Sequence, residues 1–429
     1  MKVLGIITEY NPFHQGHRLH IEKSLEASQA DACICIMSGA FLQRGEPAIV
    51  NQWARTEVAL NSGVDLVIQL PVSYSVRSAE YFAFGAIRLL EATKIVDFIC
   101  FGSELGEIEP LKQIAKIIAN EPTEVSKKIK ASLSTGLSYP QARSQALVEY
   151  IKANQDEFKK SSEKYIQILN NPNNILGIEY IKALIQSESS ITPLTIKREG
   201  EGYHSQEIRK LASASAIRKN LQENYNQNKK LIDEKLKQVL PDKSCAVLEN
   251  EFNQQKGPIF YENFSNSILT LLRRITHHDL KNFEDIIGGL ENRIKDASIE
   301  SSSLKELINL INTKCFTQTR IQRILTQILL NLDQTTLDRF DRGGGPQYLR
   351  VLGFNHKGRE LLKLIKENST LPLITKVANH YRSSQKTNSL LQEMLSLDIK
   401  ANNIYSLAYP NHNLRRGNID FRKHPIIIK

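Results

Sequence analysis

The chain has 429 residues, of which 41% are hydrophobic and 24% are charged, and its formal net charge is +10. This composition indicates a globular protein of about two or three domains, and it excludes wholesale disorder and collagen-like or disulfide-stapled scaffolds. No run approaches the ~18 apolar residues of a membrane span, and the N-terminus enters a strand pattern without a cleavable signal. We therefore expect a cytoplasmic protein that does not contact membranes.

The first third of the chain alternates short apolar runs with segments of helical length. The runs that predict strands are Val3 to Thr8, Ala32 to Met37, Asp65 to Leu70 and Val96 to Phe101. The segments that predict helices between them are His17 to Ala27, Gln52 to Ser62 and Ala79 to Thr93. Continuous apolar strands separated by helices are typical of a parallel sheet that is buried on both faces. The fold class predicted is therefore α/β, with a doubly wound parallel-sheet domain.

A later strand and a helix start extend this domain to residue 222. Ile191 to Lys197 predicts a fifth strand, and Ser213 to Arg218 has the pattern of a helix start. The chain between about 105 and 185 is mostly helical in pattern. Prolines stand near the predicted helix starts there, at Pro110, Pro122, Pro140 and Pro172. We expect these helices to be inserted between two late strands of a domain that spans residues 1–222.

From about residue 225 onward the periodicity is helical, as in Leu304 to Ile311 and Ile321 to Leu332. The polar stretch Asn224 to Lys230 is a suitable boundary, so we predict a second, mainly helical domain over residues 223–429. Residues 1–120 contain ten Lys or Arg against thirteen Asp or Glu, so the basic surplus of the chain lies downstream. Such an excess is expected of a surface that binds a polyanion, although a solvated basic face explains it equally well.

No metal site and no disulfide framework are predicted. The five cysteines are odd in number and include no C-x-x-C pair. His277, His278 and Asp279 are consecutive, but adjacent histidines point apart on a helix.

The strongest chemical signal is the segment Asn11 to His17, which follows the first strand and opens the first helix. In a doubly wound sheet this position faces the ligand crevice, and a helix N-terminus there presents free N–H groups to an anion. Gly16 lets a phosphate approach the backbone, and His14 and His17 can stabilise the charge that builds on a triphosphate. Neither a P-loop nor a G-x-G-x-x-G motif follows the strand. We predict that His14 and His17 are catalytic in a reaction at the α-phosphate of that triphosphate.

A second element is the helix start from Ser213 to Arg218. A serine hydroxyl at a helix start with an arginine one turn inside can form a phosphate clamp. The same residues also describe an ordinary N-cap followed by a surface arginine, and the pattern alone does not separate the two. Together with the early H-x-G-H, this S-x-x-R resembles the signatures of the nucleotidyltransferase superfamily related to class I aminoacyl-tRNA synthetases. Ser215 stands where that superfamily usually has threonine, and Ala214 replaces a serine.

Longer blocks narrow the resemblance to one family. Those blocks are Glu9 to His17, Met37 to Ala48, Phe101 to Glu104, Pro172 to Gly177 and Tyr348 to Phe354. They resemble the tRNA(Met) cytidine acetate ligase family essentially from end to end. The resemblance implies an ATP-dependent ligase that forms acetyl-adenylate from acetate and ATP. It also implies transfer of the acetyl group to the exocyclic amine of the wobble cytidine of elongator tRNA(Met), which gives N4-acetylcytidine.

The resemblance also implies which residues bind substrate. Contacts to ATP are implied at Ile7, Thr8, Glu9, Tyr10, Asn11, Pro12, Phe13, His14, Gln15, Gly16, His17, Arg18, Leu19, His20, Gly102, Asn173, Asn174, Arg198 and Ser215. The two asparagines also suit a helix cap. Arg218 is predicted to be catalytic with the two histidines, Mg²⁺ is expected as the counter-ion of ATP, and Gln43 and Arg44 are assigned to acetate or phosphate by position alone.

The basic residues downstream are candidates for tRNA binding. They are Arg273, Arg274, Arg320, Arg323, Arg350, Arg415 and Arg416, with Arg359, Arg422, Lys423, Tyr348, Tyr381 and Tyr405 in support. No protein partner is predicted. Two other functions remain open from the sequence: a small-molecule adenylyltransferase of the same superfamily, and a non-catalytic RNA-binding protein with a relict nucleotide fold.

Overall fold

In the computed structural model, which describes residues 1–154, 158, 162–198, 213–313, 315–382 and 388–429, eight strands form one sheet. The strands are β1 (Val3–Thr8), β2 (Ala32–Ser38), β3 (Leu66–Leu70), β4 (Phe98–Ser103), β5 (Thr192–Lys197), β6 (Leu349–Phe354), β7 (Leu373–Ile374) and β8 (Ile426–Ile427). Their order is β5-β4-β1-β2-β3-β6-β7, with β8 beside β6, and β1 to β5 run parallel. The predicted α/β fold with a doubly wound parallel sheet is confirmed.

Helices make up most of the remaining structure. They are α1 (Gln15–Ser28), α2 (Gln52–Leu60), α3 (Val72–Ser75), α4 (Ala79–Thr93), α5 (Ile108–Asn120), α6 (Thr123–Ser134), α7 (Tyr139–Ala153), α8 (Ser162–Leu169), α9 (Pro172–Gln186), α10 (Ala214–Asn226), α11 (Glu234–Val239), α12 (Asp242–Asn253), α13 (Ser265–Arg274), α14 (His277–Leu280), α15 (Leu290–Glu300), α16 (Leu304–Ile311), α17 (Gln318–Leu330), α18 (Gln334–Arg342), α19 (His356–Asn368) and α20 (Leu390–Ser406). None of these described helices is both long and apolar enough to cross a membrane.

The apolar runs of the sequence form the buried strands of the sheet. Every residue of β2 is buried, because helices cover both faces of the sheet and alternate side chains enter different cores. Ile34 and Ile36 join one core, while Cys33, Cys35 and Met37 join the other. The parallel arrangement brings the carboxyl ends of β1, β2, β4 and β5 to one edge, and the site described below lies there.

The bounds of β1, α4 and α16 are those predicted, and helices α5 to α9 are inserted between β4 and β5 as expected. All four prolines stand at helix starts. Pro172 is the first residue of α9, Pro140 is the second of α7, Pro110 is the third of α5, and Pro122 directly precedes α6. A proline in the first turn does not remove a helical hydrogen bond, so these positions are the ones that tolerate it.

The downstream portion contributes three strands that the helical periodicity did not predict. β6 pairs antiparallel with β3, and β7 and β8 pair with β6. The short run from Leu349 to Phe354 is apolar like the strands predicted upstream, but it lies between helical segments in the sequence, and its partner β3 is about 280 positions earlier. The sheet therefore takes strands from both sides of residue 222, and the division into domains 1–222 and 223–429 stays a prediction.

Buried polar contacts join the two portions of the chain. The Arg77 side chain is fully buried and forms ion pairs with Glu284 at 2.6 Å and Asp341 at 2.9 Å. Asp398 accepts hydrogen bonds from the Val72 N–H at 2.7 Å and from the Tyr348 hydroxyl at 2.6 Å. Because a buried charge is costly unless it is paired, these contacts fix the downstream helices against the sheet in one arrangement.

Candidate active site

The turn from β1 into α1 is built around two histidines. His14 is the N-cap residue of α1, and its Nδ1 accepts a hydrogen bond from the Gly16 N–H at 3.0 Å. The His14 N–H in turn donates to Nδ1 of His17 at 3.3 Å. A ring nitrogen that accepts a hydrogen bond carries no proton, so each neutral imidazole carries its proton on Nε2. The local hydrogen bonds thereby leave two Nε2–H donors for a ligand.

Burial keeps both imidazoles neutral. Their rings stack with centroids 3.7 Å apart, and Tyr10 and Phe13 pack against His17. Desolvation lowers the pKa of His14 to about 4, and the nearby positive charge of Arg198 adds to the effect. Desolvation also lowers the pKa of His17, with contributions from His14 and Arg198. At neutral pH the pair therefore consists of uncharged hydrogen-bond donors.

A cavity of about 2340 Å³ opens at this edge of the sheet. It is larger than the roughly 300–1,000 Å³ of a typical small-molecule pocket, so it has room for a nucleotide and for part of a second, larger substrate. The predicted site residues that line it are Ile7, Thr8, Glu9, Tyr10, Asn11, His14, Gly16, His17, Leu19, His20, Gln43, Arg44, Gly102, Asn173, Arg198, Arg218, Arg320 and Arg323.

Other predicted nucleotide contacts lie off the cavity wall. Pro12 and Phe13 are buried beneath the turn, and Arg18 is exposed and paired with Glu22 at 2.9 Å. Ser215 is exposed, with its hydroxyl 3.4 Å from a guanidinium nitrogen of Arg218. The turn therefore places His14, Gly16 and His17 on the cavity wall and buries Pro12 and Phe13 beneath them.

Gly102 and Arg198 meet where β4 and β5 end. A Cβ on Gly102 would stand 3.0 Å from Cγ of Arg198, so the missing side chain is what lets the arginine lie across the strand end. The Arg198 N–H donates to the carbonyl of Ser103 at 2.9 Å. Among the described residues the Arg198 guanidinium has no ion-pair partner, which makes it available to an anion in the cavity.

Arg218 reaches the histidine turn from α10. Its guanidinium donates to the carbonyl of Asn11 at 2.9 Å and to the Glu46 carboxylate at 3.0 Å. Ser213 is the N-cap of α10 and accepts the Ala216 N–H at 3.3 Å. The helix start is thus both a cap and the support of an arginine at the site, which the pattern alone had left open. Sequence reasoning missed Glu46, although it is the one acidic residue between Met37 and Ala48.

Arg55 is a second residue that sequence reasoning missed. It is buried in α2 and donates to the carbonyls of Glu9 at 2.6 Å, Val50 at 3.3 Å and Gly39. The Gln43 N–H donates to the Glu9 carboxylate at 2.7 Å, and desolvation raises the pKa of Glu9. These contacts join the loop after β1 to the loop after β2. A lone arginine in a helical pattern gives no signal of such a role.

Neither Asn173 nor Asn174 caps α9 with its side chain, although the sequence suited both to that role. The Glu104 carboxylate accepts the backbone N–H groups of both residues at 3.2 and 2.8 Å and so caps α9. Asn173 borders the cavity. Asn174 does not line it, because it is 1% exposed and its amide bonds the Leu105 N–H at 3.1 Å and the Ile168 carbonyl at 3.3 Å.

The downstream basic residues do not form one surface. Arg350 is 4% exposed and ion-paired with Asp420, so the structure places it in the interior and its contact with tRNA stays a prediction. Arg273 donates to the carbonyls of Ser298 and Ser301 at 3.0 and 2.9 Å, and Arg415 donates to the carbonyl of Tyr409 at 2.7 Å. Tyr348 and Tyr405 are buried, and Tyr381 stacks on Phe421. The predicted basic residues that are exposed are Arg273, Arg274, Arg359, Arg416, Arg422 and Lys423.

Within the part of the chain that the structure describes, no group of three His, Cys, Asp or Glu side chains could hold a metal ion.

Comparisons with known proteins agree with this geometry. Residues 1–420 match the family model described as HIGH Nucleotidyl Transferase. A tRNA(Met) cytidine acetate ligase of Halothermothrix orenii is 45% identical over 98% of both chains, and one of Acetivibrio thermocellus is 44% identical over 100% of both. The crystal structure of Thermotoga maritima TmcAL bound with alpha-thio ATP has a TM-score of 0.90 at 35% identity and covers 100% of this chain and 99% of its own. Its apo form has a TM-score of 0.91 at 34% identity, with 100% of each chain covered.

Proposed function

Because this chain belongs to the tRNA(Met) cytidine acetate ligase family, we propose that it makes acetyl-adenylate from acetate and ATP and acetylates the wobble cytidine of elongator tRNA(Met). The observation that supports this most is the pair of neutral imidazoles, whose Nε2–H donors line a cavity beside Arg198 and Arg218. Donors fixed before the reaction stabilise developing charge without reorganisation. The proposed site of the triphosphate is therefore the turn from β1 into α1.

In the first half-reaction an acetate oxygen attacks the α-phosphorus of ATP, and the bond to the β-phosphate oxygen breaks. Pyrophosphate leaves with the bonding electrons, and acetyl-adenylate remains. The groups of this chain that face the reaction are His14 and His17 as neutral donors and Arg198 as a positive charge. Arg218, held by Glu46, adds a second charge beside the turn. No covalent intermediate with the protein is needed.

In the second half-reaction the N4 amine of cytidine attacks the acetyl carbonyl carbon. The bond between that carbon and the AMP oxygen breaks, AMP leaves, and the amide nitrogen loses one proton to solvent. A stacked base cannot reach the carbonyl, so the cytidine must be splayed out of its loop into the cavity. The volume of the cavity beyond the turn supports this part of the proposal.

We further propose that Mg²⁺ accompanies ATP as its counter-ion, held chiefly by phosphate oxygens and water, as is usual for this ion. When bound, the ion would neutralise the negative charge of the phosphates. We propose the cytoplasm as the place of action, since tRNA is the proposed substrate and none of the described helices is a candidate membrane span.

Nucleoside mass analysis of elongator tRNA(Met) incubated with the protein, ATP and acetate tests the proposal. We expect N4-acetylcytidine at the wobble position, no product when acetate or ATP is omitted, and pyrophosphate exchange that depends on acetate. Exchange supported by a nucleotide, pantoate or pantetheine phosphate but not by acetate would instead identify a small-molecule adenylyltransferase. Binding of tRNA without either reaction would identify a non-catalytic RNA-binding protein.

A further inference from the structure

One wall of the cavity is formed by the aromatic ring of Tyr81, which is not among the residues assigned to ATP. Tyr81, in the first turn of α4, lines the cavity and is partly exposed. The Arg77 guanidinium lies 3.4 Å from the centroid of its ring and covers one face. Arg77 is itself held by Glu284 and Asp341, and its side chain is fully buried. The ring is therefore backed by a rigid cation, and its other face is left for a ligand.

This wall is connected to the proposed nucleotide site. The Gln43 side chain donates to the carbonyl of Arg77 at 3.2 Å, and the Gln43 N–H donates to the Glu9 carboxylate at 2.7 Å. Glu9 follows β1 directly and precedes the histidine turn. Two hydrogen bonds thus link the residue behind the Tyr81 ring to the strand end where ATP is proposed to bind.

Two arginines of α17 continue the same wall. Arg320 donates to the carbonyl of Asp285 at 2.6 Å, and Arg323 reaches the Asp285 carboxylate at only 3.5 Å. Both line the cavity, yet the Nε atom of each is buried without a hydrogen-bond partner. Asp285 is adjacent to Glu284, the partner of Arg77, so the arginines and Tyr81 share one continuous wall. A guanidinium that lines a cavity and is only partly paired with protein oxygens is suited to bind phosphate oxygens.

We propose that Tyr81, backed by Arg77, is the stacking platform for the splayed acceptor base, and that Arg320 and Arg323 bind the phosphates beside it. This inference rests on the proposed function, because it names the place where the RNA of that reaction enters. Proteins recognise single-stranded RNA by stacking unpaired bases on aromatic rings and by neutralising the flanking phosphates. The wall supplies one ring and two cations within the same cavity as the histidine turn.

The test compares Tyr81→Leu with Tyr81→Phe in the full-length enzyme. Tyr81→Leu removes the ring, so we expect kcat/KM for tRNA in acetyl transfer to fall about 10- to 100-fold. Acetate-dependent ATP–pyrophosphate exchange should stay within about twofold of the unmutated protein, because this half-reaction does not use the base. Tyr81→Phe keeps the stacking face and should restore tRNA use. Tyr225→Leu is the matched control, since Tyr225 is 41% exposed and does not line the cavity.

The outcomes separate the two proposals. An unmutated protein without acetate-dependent exchange contradicts the proposed function itself. If exchange is normal but Tyr81→Leu leaves the KM for tRNA unchanged, or raises the KM for ATP instead, the platform is wrong and the proposed function stands. A Tyr81→Phe variant as defective as Tyr81→Leu would also overturn the platform, because the hydroxyl and not the ring would then carry the effect.

The phosphate contacts are tested by the salt dependence of tRNA binding. Arg320→Gln and Arg323→Gln should each reduce the slope of log affinity against log salt by about 0.7 to 1, the value for one lost phosphate contact. Arg342→Gln is the control, because the Arg342 side chain is 80% exposed on α18 and lies outside the cavity. Unchanged slopes in both α17 variants would contradict the assignment.

Discussion

The histidine turn and the downstream basic residues are organised in different ways. At the turn, the capping hydrogen bonds that hold His14 and His17 span only two or three positions, and Gln43, Arg55 and Arg218 reach its other groups from outside. Downstream, the arginines that the sequence grouped together lie in different environments. Arg320 and Arg323 line the cavity, Arg350 is buried against Asp420, and Arg273 binds carbonyls at the end of a helix.

This difference shows what a charge count can and cannot predict. The geometry of the histidine turn can be predicted from adjacent residues, because hydrogen bonds within one helix turn position the imidazole rings of His14 and His17. An arginine on a long side chain takes its role from whatever lies near it in space. The predictions below test whether the two regions are as distinct as their contacts indicate.

The largest effect is expected at Arg350. Arg350→Met should lower the free energy of unfolding by about 3–5 kcal/mol, because it leaves the buried carboxylate of Asp420 without its ion-pair partner and, among the described residues, with only the Asn402 amide as a donor. Urea denaturation measures this change, and Arg416→Met on the surface should stay within about 0.5 kcal/mol of the unmutated protein. If the variant is stable and its tRNA binding depends less on salt, Arg350 contacts the RNA.

At the turn the expected effect is on chemistry and not on folding. His14→Asn should slow acetate-dependent pyrophosphate exchange about 10²- to 10³-fold, the loss typical of one preorganised donor. tRNA affinity should be unchanged in a filter-binding measurement. His356→Asn is the control, because that side chain is 83% exposed at the start of α19. Equal exchange rates in the two variants would argue against the histidine turn as the reaction site.

Glu46 is expected to act through Arg218, as a positioning residue. Glu46→Gln replaces a charge-assisted hydrogen bond with a neutral one, so kcat for exchange should fall roughly tenfold while the KM for ATP changes less. In Arg218→Lys the same substitution should have a smaller effect, since the two residues are coupled. Glu57→Gln, which removes an exposed pair with Lys243, is the matched control. Additive effects of the first two substitutions would refute the coupling.

The smallest effect concerns pH. The folded pKa of His14, about 4, lies below its ordinary value of 6.5, so the unfolded chain binds more protons between these values. The free energy of unfolding should therefore fall as pH drops below 6.5, and this loss is complete below pH 4. Between pH 7 and pH 6, the free energy of unfolding should fall by about 0.7 kcal/mol less in His14→Asn than in the unmutated protein. A titration midpoint of His14 near 6.5 by NMR would contradict the burial of the neutral ring.

Much of the fold followed from the sequence. Five parallel strands, the inserted helices and the helix starts at prolines are consequences of local periodicity and capping. β6 was missed because its hydrogen-bond partners belong to β3, far away in the chain. Among the site residues, Arg218 was predicted, but Glu46 and Arg55 were not, because each acts on a group that only folding brings near it.

The sequence by itself determined the α/β sheet, the family and the histidine turn, since each depends on residues a few positions apart. Only the tertiary structure decided that Arg350 forms a buried ion pair with Asp420 and that Glu104 caps α9. It also decided that Tyr81 lines the cavity with the buried guanidinium of Arg77 against its ring. The physical reason is the range of the interactions. Helix caps and strand periodicity act between neighbours in the chain, whereas charge pairing and stacking depend on distances that exist only once the chain has folded.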